Sequence, residues 1–142
     1  MLNENEVIRL LVAHLTAEGL QVTHASHTRQ QGPDLIFEEP KSGSRLLIEA
    51  KGETSSKAES GDFGNVYRSG KTKHQVAIGF YQAVRMKYTL SRPGDRIGLA
   101  FPDTPAFRLH IEPILPVLRR LGLPVFLVAE KSGTVRDFAK LR

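Results

Sequence analysis

The sequence predicts an α/β fold, a mixed sheet flanked by helices in the order α-β-β-β-α-β-α-β. Three observations carry this. Two stretches with apolar residues at helical spacing bracket two short alternating runs joined by a turn. A later run, residues 124–129, is apolar throughout, as suits a strand buried on both faces. No segment repeats, and 142 residues is the size of one domain, residues 1–142.

Residues 3–18 place Val7, Ile8, Leu11, Val12 and Leu15 on one side and Leu10, Ala13 and Ala17 on another, which predicts a helix closed by Gly19. Residues 20–25 come next as a short strand, and residues 26–33, polar and broken by Gly-Pro, as a loop. Residues 34–38 and 45–51 read as strands separated by Glu-Pro-Lys-Ser-Gly-Ser, hence a hairpin. Residues 52–73 offer little to bury beyond Phe63, Val66 and Tyr67, the composition of a long mobile loop. Helical periodicity returns over 74–90, a strand is expected at 96–101, and 106–121 is mostly helical, with Pro113 and Pro116 predicting a kink or a late start. After the apolar strand, a Lys-Ser-Gly-Thr turn leads into one edge strand.

Composition narrows the function classes. No apolar run approaches the roughly 20 residues of a membrane span, and the first residues lack a secretory pattern, so a cytoplasmic protein with no membrane contact is expected. The absence of cysteine removes disulfides and thiolate metal sites, leaving carboxylate, carbonyl and imidazole ligands and favouring hard cations such as Mg²⁺. A net charge of +5 favours a polyanionic partner, nucleic acid among them.

The hairpin carries the chemistry. Turned about the midpoint between Lys41 and Ser42, it pairs Glu38 with Arg45 and sets Asp34 across from Glu49. Directly opposed residues of antiparallel strands have Cβ atoms about 4.5–5.5 Å apart, close enough for two carboxylates to share one cation. Lys51, two residues beyond Glu49, falls on the same face, whereas a slip of one residue would separate the carboxylates. Phosphodiester hydrolysis needs charge neutralised on phosphate oxygens and hydroxide produced near neutral pH. Mg²⁺ held by Asp34, Glu49 and the Ala50 carbonyl suits both needs, with Lys51 orienting the attacking water.

Gly32-Pro33-Asp34 followed by Glu49-Ala50-Lys51-Gly52 resembles the PD-(D/E)XK nuclease superfamily, which includes restriction enzymes and archaeal Holliday-junction resolvases. The resemblance covers residues 3–101, and residues 46–57 look like small members of that superfamily. It implies a restriction-endonuclease-like αβββαβ core with an additional C-terminal helix and strand. It also implies an Mg²⁺-dependent endonuclease, with Mn²⁺ able to substitute and DNA preferred to RNA. Many members place a Glu of the first helix near the metal. Glu6, on the face of Leu10, Ala13 and Ala17, is preferred here to Glu4, on the stripe of Ile8, Leu11 and Leu15. A glutamine of the second helix is also common near the site; Gln75, Gly79 and Gln82 share one face, so Gln82 or Gln75 is expected at the phosphate or the attacking water.

Arg68, Lys71 and Lys73 are expected to contact phosphates from the long loop. A P-loop reading of Ser69-Gly70-Lys71-Thr72 fails because Asn65 stands where the first glycine is needed. His14, His24, His27, His74 and His110 show no metal-ligand spacing. One such site cuts one strand at a time, so cleavage of both strands of a duplex calls for a homodimer, which the sequence neither shows nor forbids. The rivals are a non-catalytic nucleic-acid-binding module on the same fold and a partner-binding protein.

Overall fold

Residues 1–25, 32–54 and 69–138 are described in the computed structural model of the chain. Helix α1 (Glu4–Ala17) begins at a capping box: Asn3 Oδ1 accepts from Glu6 N at 2.9 Å and Glu6 Oε2 accepts from Asn3 N at 2.8 Å. The helix buries Val7, Ile8, Leu11 and Leu15, whereas Ala13 and Ala17 are exposed, so the apolar side faces the sheet and the small-residue face does not. The chain then turns at Gly19, whose φ of 97° suits glycine.

Six strands form one sheet in sequence order: β1 (Gln21–Ala25), β2 (Leu35–Glu38), β3 (Arg45–Ala50), β4 (Arg96–Pro102), β5 (Val125–Val128) and β6 (Val135–Asp137). The first three pair antiparallel, β3, β4 and β5 run parallel, and β6 closes the far edge antiparallel, giving a mixed sheet. The parallel joins require crossovers. Helix α2 (Ser69–Thr89) supplies the first, and α3 (Pro105–Ile111), a 3-10 turn (Glu112–Ile114) and α4 (Leu115–Arg120) supply the second. Pro113 and Pro116 each open a new helical piece, which realises the expected kink.

Strand alternation builds a core on each face. Leu46, Ile48 and Ala50 of β3 pack with the α1 residues, while Leu47 packs with Val76, Ala83 and Met86 of α2 and with the α3 and α4 residues. By the same alternation Glu49 lies on the α2 face with Leu47.

Two expectations for residues 52–73 are corrected. Helix α2 starts at Ser69, because Thr72 continues its buried spacing of Val76, Gly79, Ala83 and Met86. At the other end, Gly52, Glu53 and Thr54 are buried and docked on the start of α1, through an Asn3–Thr54 bridge and a 2.8 Å bond from Glu53 N to Leu2 O. The remainder, residues 55–68, lies outside the described residues, as does most of the expected loop at 26–33.

At the opposite end of β3, Arg45 clamps three elements. Its Nη2 donates to Asp95 Oδ2 at 2.6 Å and to Leu90 O at 3.2 Å, and its own amide and Nε also donate to Asp95. The end of α2 and the start of β4 are thereby tied to the start of β3. No helix among the described residues is long and apolar enough to cross a membrane.

Candidate active site

The hairpin register sets the site. Leu35 pairs with Ile48, Ile36 with Leu47, Phe37 with Leu46 and Glu38 with Arg45; Asp34 lies just before the paired strand, close enough to Glu49 for its charge to act on that carboxyl. Asp34 N donates to Ile48 O at 3.0 Å, and Ala50 N donates to Asp34 Oδ2 at 2.8 Å. The side chain thus takes a hydrogen bond that a strand carbonyl would otherwise take, which fixes the direction of the carboxylate. Ala50, expected to offer its carbonyl to a cation, also uses its amide to orient Asp34.

Glu49 is 6 % exposed and Asp34 8 %. Burial and then the charge of Asp34 push the Glu49 carboxyl up to about 7, against the pull of Lys51. Lys51 Nζ lies 3.1 Å from Glu49 Oε1 and 3.9 Å from Glu4 Oε1. Burial would lower its ammonium, but Glu49, Glu4 and Asp34 outweigh that and raise it above the ordinary lysine value. Three carboxylates therefore surround one ammonium, an arrangement that attracts further positive charge.

Glu4 reaches the site through the segment that leaves β3. Residues 52–54 run alongside the start of α1, and a Cβ on Gly52 would lie 2.4 Å from Glu4 N and 2.6 Å from the Asn3 carbonyl carbon. Only glycine lets the backbones meet so closely, and that contact carries Glu4, on the Ile8, Leu11 and Leu15 stripe, to Lys51. The preference for Glu6 over Glu4 is corrected: Glu6 caps the helix through Asn3 N, and Glu4 stands by the lysine. Gly52 could have been suspected from the sequence only by knowing that the first helix packs there.

The glutamines and basic residues are spread along α2. Leu90, just past the end of α2, is bonded to Arg45 at the start of β3, so α2 begins at the Glu49 end. Gln75 sits near that start, whereas Gln82 lies seven residues, or about 10 Å, farther along the axis. Gly79, which packs on Leu99 and Phe101 beside Glu49 in the sheet, stands between them, four residues from Gln75 and three from Gln82, so the packing favours neither glutamine over the other. Lys71 and Lys73 are exposed on the first turns of α2, a helix and not the expected loop, and Arg68 lies outside the described residues.

Among the described residues no three His, Cys, Asp or Glu side chains form a group that could hold a metal by themselves. Two neighbouring carboxylates still match the needs of a hard cation such as Mg²⁺, which keeps several waters and takes one or two carboxylates together with substrate phosphate. Compared with protein families, curated proteins and solved structures, the chain matches none.

Proposed function

We propose that the chain is a metal-dependent nuclease of the PD-(D/E)XK kind that hydrolyses phosphodiester bonds, with DNA preferred to RNA. The observation that carries the reading is the buried pair of neighbouring carboxyls, Asp34 and Glu49, at one end of the sheet, with Lys51 Nζ 3.1 Å from Glu49. The order α1-β1-β2-β3-α2-β4, with an antiparallel hairpin and then a parallel crossover through α2, supports a restriction-endonuclease-like core.

Asp34 and Glu49 would hold Mg²⁺ or Mn²⁺, with the Ala50 carbonyl beside them. Bound there, the ion supplies positive charge to the phosphate oxygens and lowers the pKa of water. The chain does the positioning. Ala50 N keeps the Asp34 carboxylate in one orientation, and Glu49 and Glu4 together hold the Lys51 ammonium charged. A charged Nζ donates hydrogen bonds only, so Lys51 orients the attacking water and stabilises the negative charge gathering at the phosphate.

The test incubates the protein with plasmid, single-stranded DNA and RNA, in Mg²⁺, Mn²⁺ or EDTA. Cleavage is expected with either metal and none in EDTA. Asp34→Asn, Glu49→Gln and Lys51→Met should each lower the rate by about 100-fold or more while nucleic-acid binding persists. Binding without cleavage in every condition would favour a non-catalytic module, and near-normal activity in any variant removes that residue from the site.

A further inference from the structure

The positive charge of the chain is not spread evenly. Residues 69–120 hold nine Lys or Arg against three Asp or Glu, which is more than the whole net charge of +5, so the remainder is slightly acidic. Two of those three acids, Asp95 and Asp103, are bound to Arg45 and Arg108. Helix α2 contains no Asp or Glu at all. The layer of helices α2 to α4 on one face of the sheet is therefore the basic side of the molecule.

On α2 the residues opposite the buried stripe form an exposed line: His74, Ala77, Tyr81, Arg85 and Tyr88 recur at helical spacing over about 21 Å. Tyr81 is 62 % exposed and Tyr88 90 %, so neither ring serves the core. Arg85 stands between them, one turn from each. Exposed aromatic rings interleaved with cations are suited to unpaired bases and their phosphates: rings offer stacking to any base, and guanidinium and ammonium groups track the backbone.

From this line and its charge we propose that the outward face of α2 binds a single strand of nucleic acid, with Tyr81 and Tyr88 stacking on bases and Arg85 contacting the phosphate between them. The proposal rests on the nuclease reading for the claim that the bound strand is substrate; α2 packs by Gly79 on Leu99 and Phe101, at the level of Glu49 in the sheet. A second copy of the chain fits this face poorly. A two-fold contact along α2 would set two helices that carry Lys and Arg but no Asp or Glu against each other.

The experiment measures anisotropy of a short end-labelled oligodeoxythymidine and of a duplex of equal length, in EDTA so that nothing is cleaved. The single strand should bind more tightly than the duplex. Tyr81→Ala and Tyr88→Ala should each weaken it about tenfold, Tyr→Phe at either position should restore it, and Arg85→Ala should weaken it and flatten its salt dependence. Unchanged affinity in both alanine variants, tighter binding of the duplex, or a dimer that Tyr88→Ala dissociates without touching affinity would each overturn the proposal. Lost binding in the tyrosine variants beside no cleavage by the wild type in Mg²⁺ or Mn²⁺ would instead overturn the nuclease reading and leave this surface standing as a binding site.

Discussion

A buried carboxyl facing a second carboxylate binds its proton more tightly in the folded state than in the unfolded one, and Glu49 does so from its ordinary value of 4.5 up to about 7. The folded protein holds more protons across that interval, so its stability falls as pH rises through it; the contribution is whole below 4.5 and gone above about 7. Thermal melts in EDTA should show the wild-type Tm declining from pH 5 to pH 8, with Glu49→Gln flattening that decline. Added Mg²⁺ or Mn²⁺ should raise the wild-type Tm more than that of the variant, because a ligand that binds only the folded state stabilises it. Parallel pH slopes in the two proteins would mean that Glu49 is not the group under strain. The hairpin register, with Glu38 opposite Arg45, was legible in the sequence because a six-residue connection between two alternating runs leaves few registers that bury Ile48 and Phe37 together. The choice between Glu4 and Glu6 was not, since an acidic residue in a first helical turn serves a cap as readily as a site.

At the scale of elements, the site depends on a junction between two segments distant in sequence. Leu2 N donates to Glu53 Oε1 at 2.8 Å and Glu53 N to Leu2 O at 2.8 Å, so the chain leaving β3 lies against the chain entering α1. Gly52 is the point of closest approach, and its neighbours there are backbone atoms, which cannot swing aside as a side chain can. Gly52→Ala should therefore cost about 2 kcal/mol or more, by forcing α1 away from the sheet. It should also lower cleavage at temperatures where the variant remains folded, because Glu4 moves with the helix. Gly70→Ala is the control: a Cβ there meets nothing within 4 Å, and alanine in the first turn of α2 should leave stability unchanged or raise it. Chemical denaturation of both variants checks the contrast, and an undisturbed Gly52→Ala would show that the contact relaxes. The start of α2 was hidden in the sequence for a related reason. Ser69, Gly70 and Thr72 have weak helix propensity, and Thr72 is held in the helix by its burial against the core, a tertiary contact that a local window does not contain.

Across the whole molecule the two ends of β3 carry opposite electrostatic designs. The Glu49 end holds three carboxylates around one ammonium, whereas at the Arg45 end one carboxylate meets a guanidinium that matches it at two nitrogens. Burial works against ionised Asp95, but hydrogen bonds from the Arg45 side chain and from the Arg92 and Arg45 amides outweigh it and hold its carboxyl below the ordinary aspartate value. The sign is therefore the reverse of that at Glu49. The clamp contributes stability above the unfolded pKa of about 3.9 and loses it as pH falls through the depressed folded value. With Glu49 weakening the fold from 4.5 upward and Asp95 weakening it in acid, these two groups place the greatest metal-free stability on the acidic side of neutrality, near pH 4 to 5. Asp95→Asn leaves the Arg45 guanidinium, largely covered, without its counter-charge, and should cost about 3 kcal/mol at pH 5. That deficit should shrink as pH is lowered through the depressed folded value, where wild-type Asp95 itself takes up a proton. Cleavage below the melting temperature should be unaffected, because the clamp ties α2 and β4 to the end of β3 remote from Lys51. Urea melts of the two proteins at pH 5 and pH 2.5, with a cleavage assay at low temperature, measure all three. A deficit that stays constant with pH would show that Asp95 acts through its hydrogen bonds to the Arg92 and Arg45 amides, not through its charge.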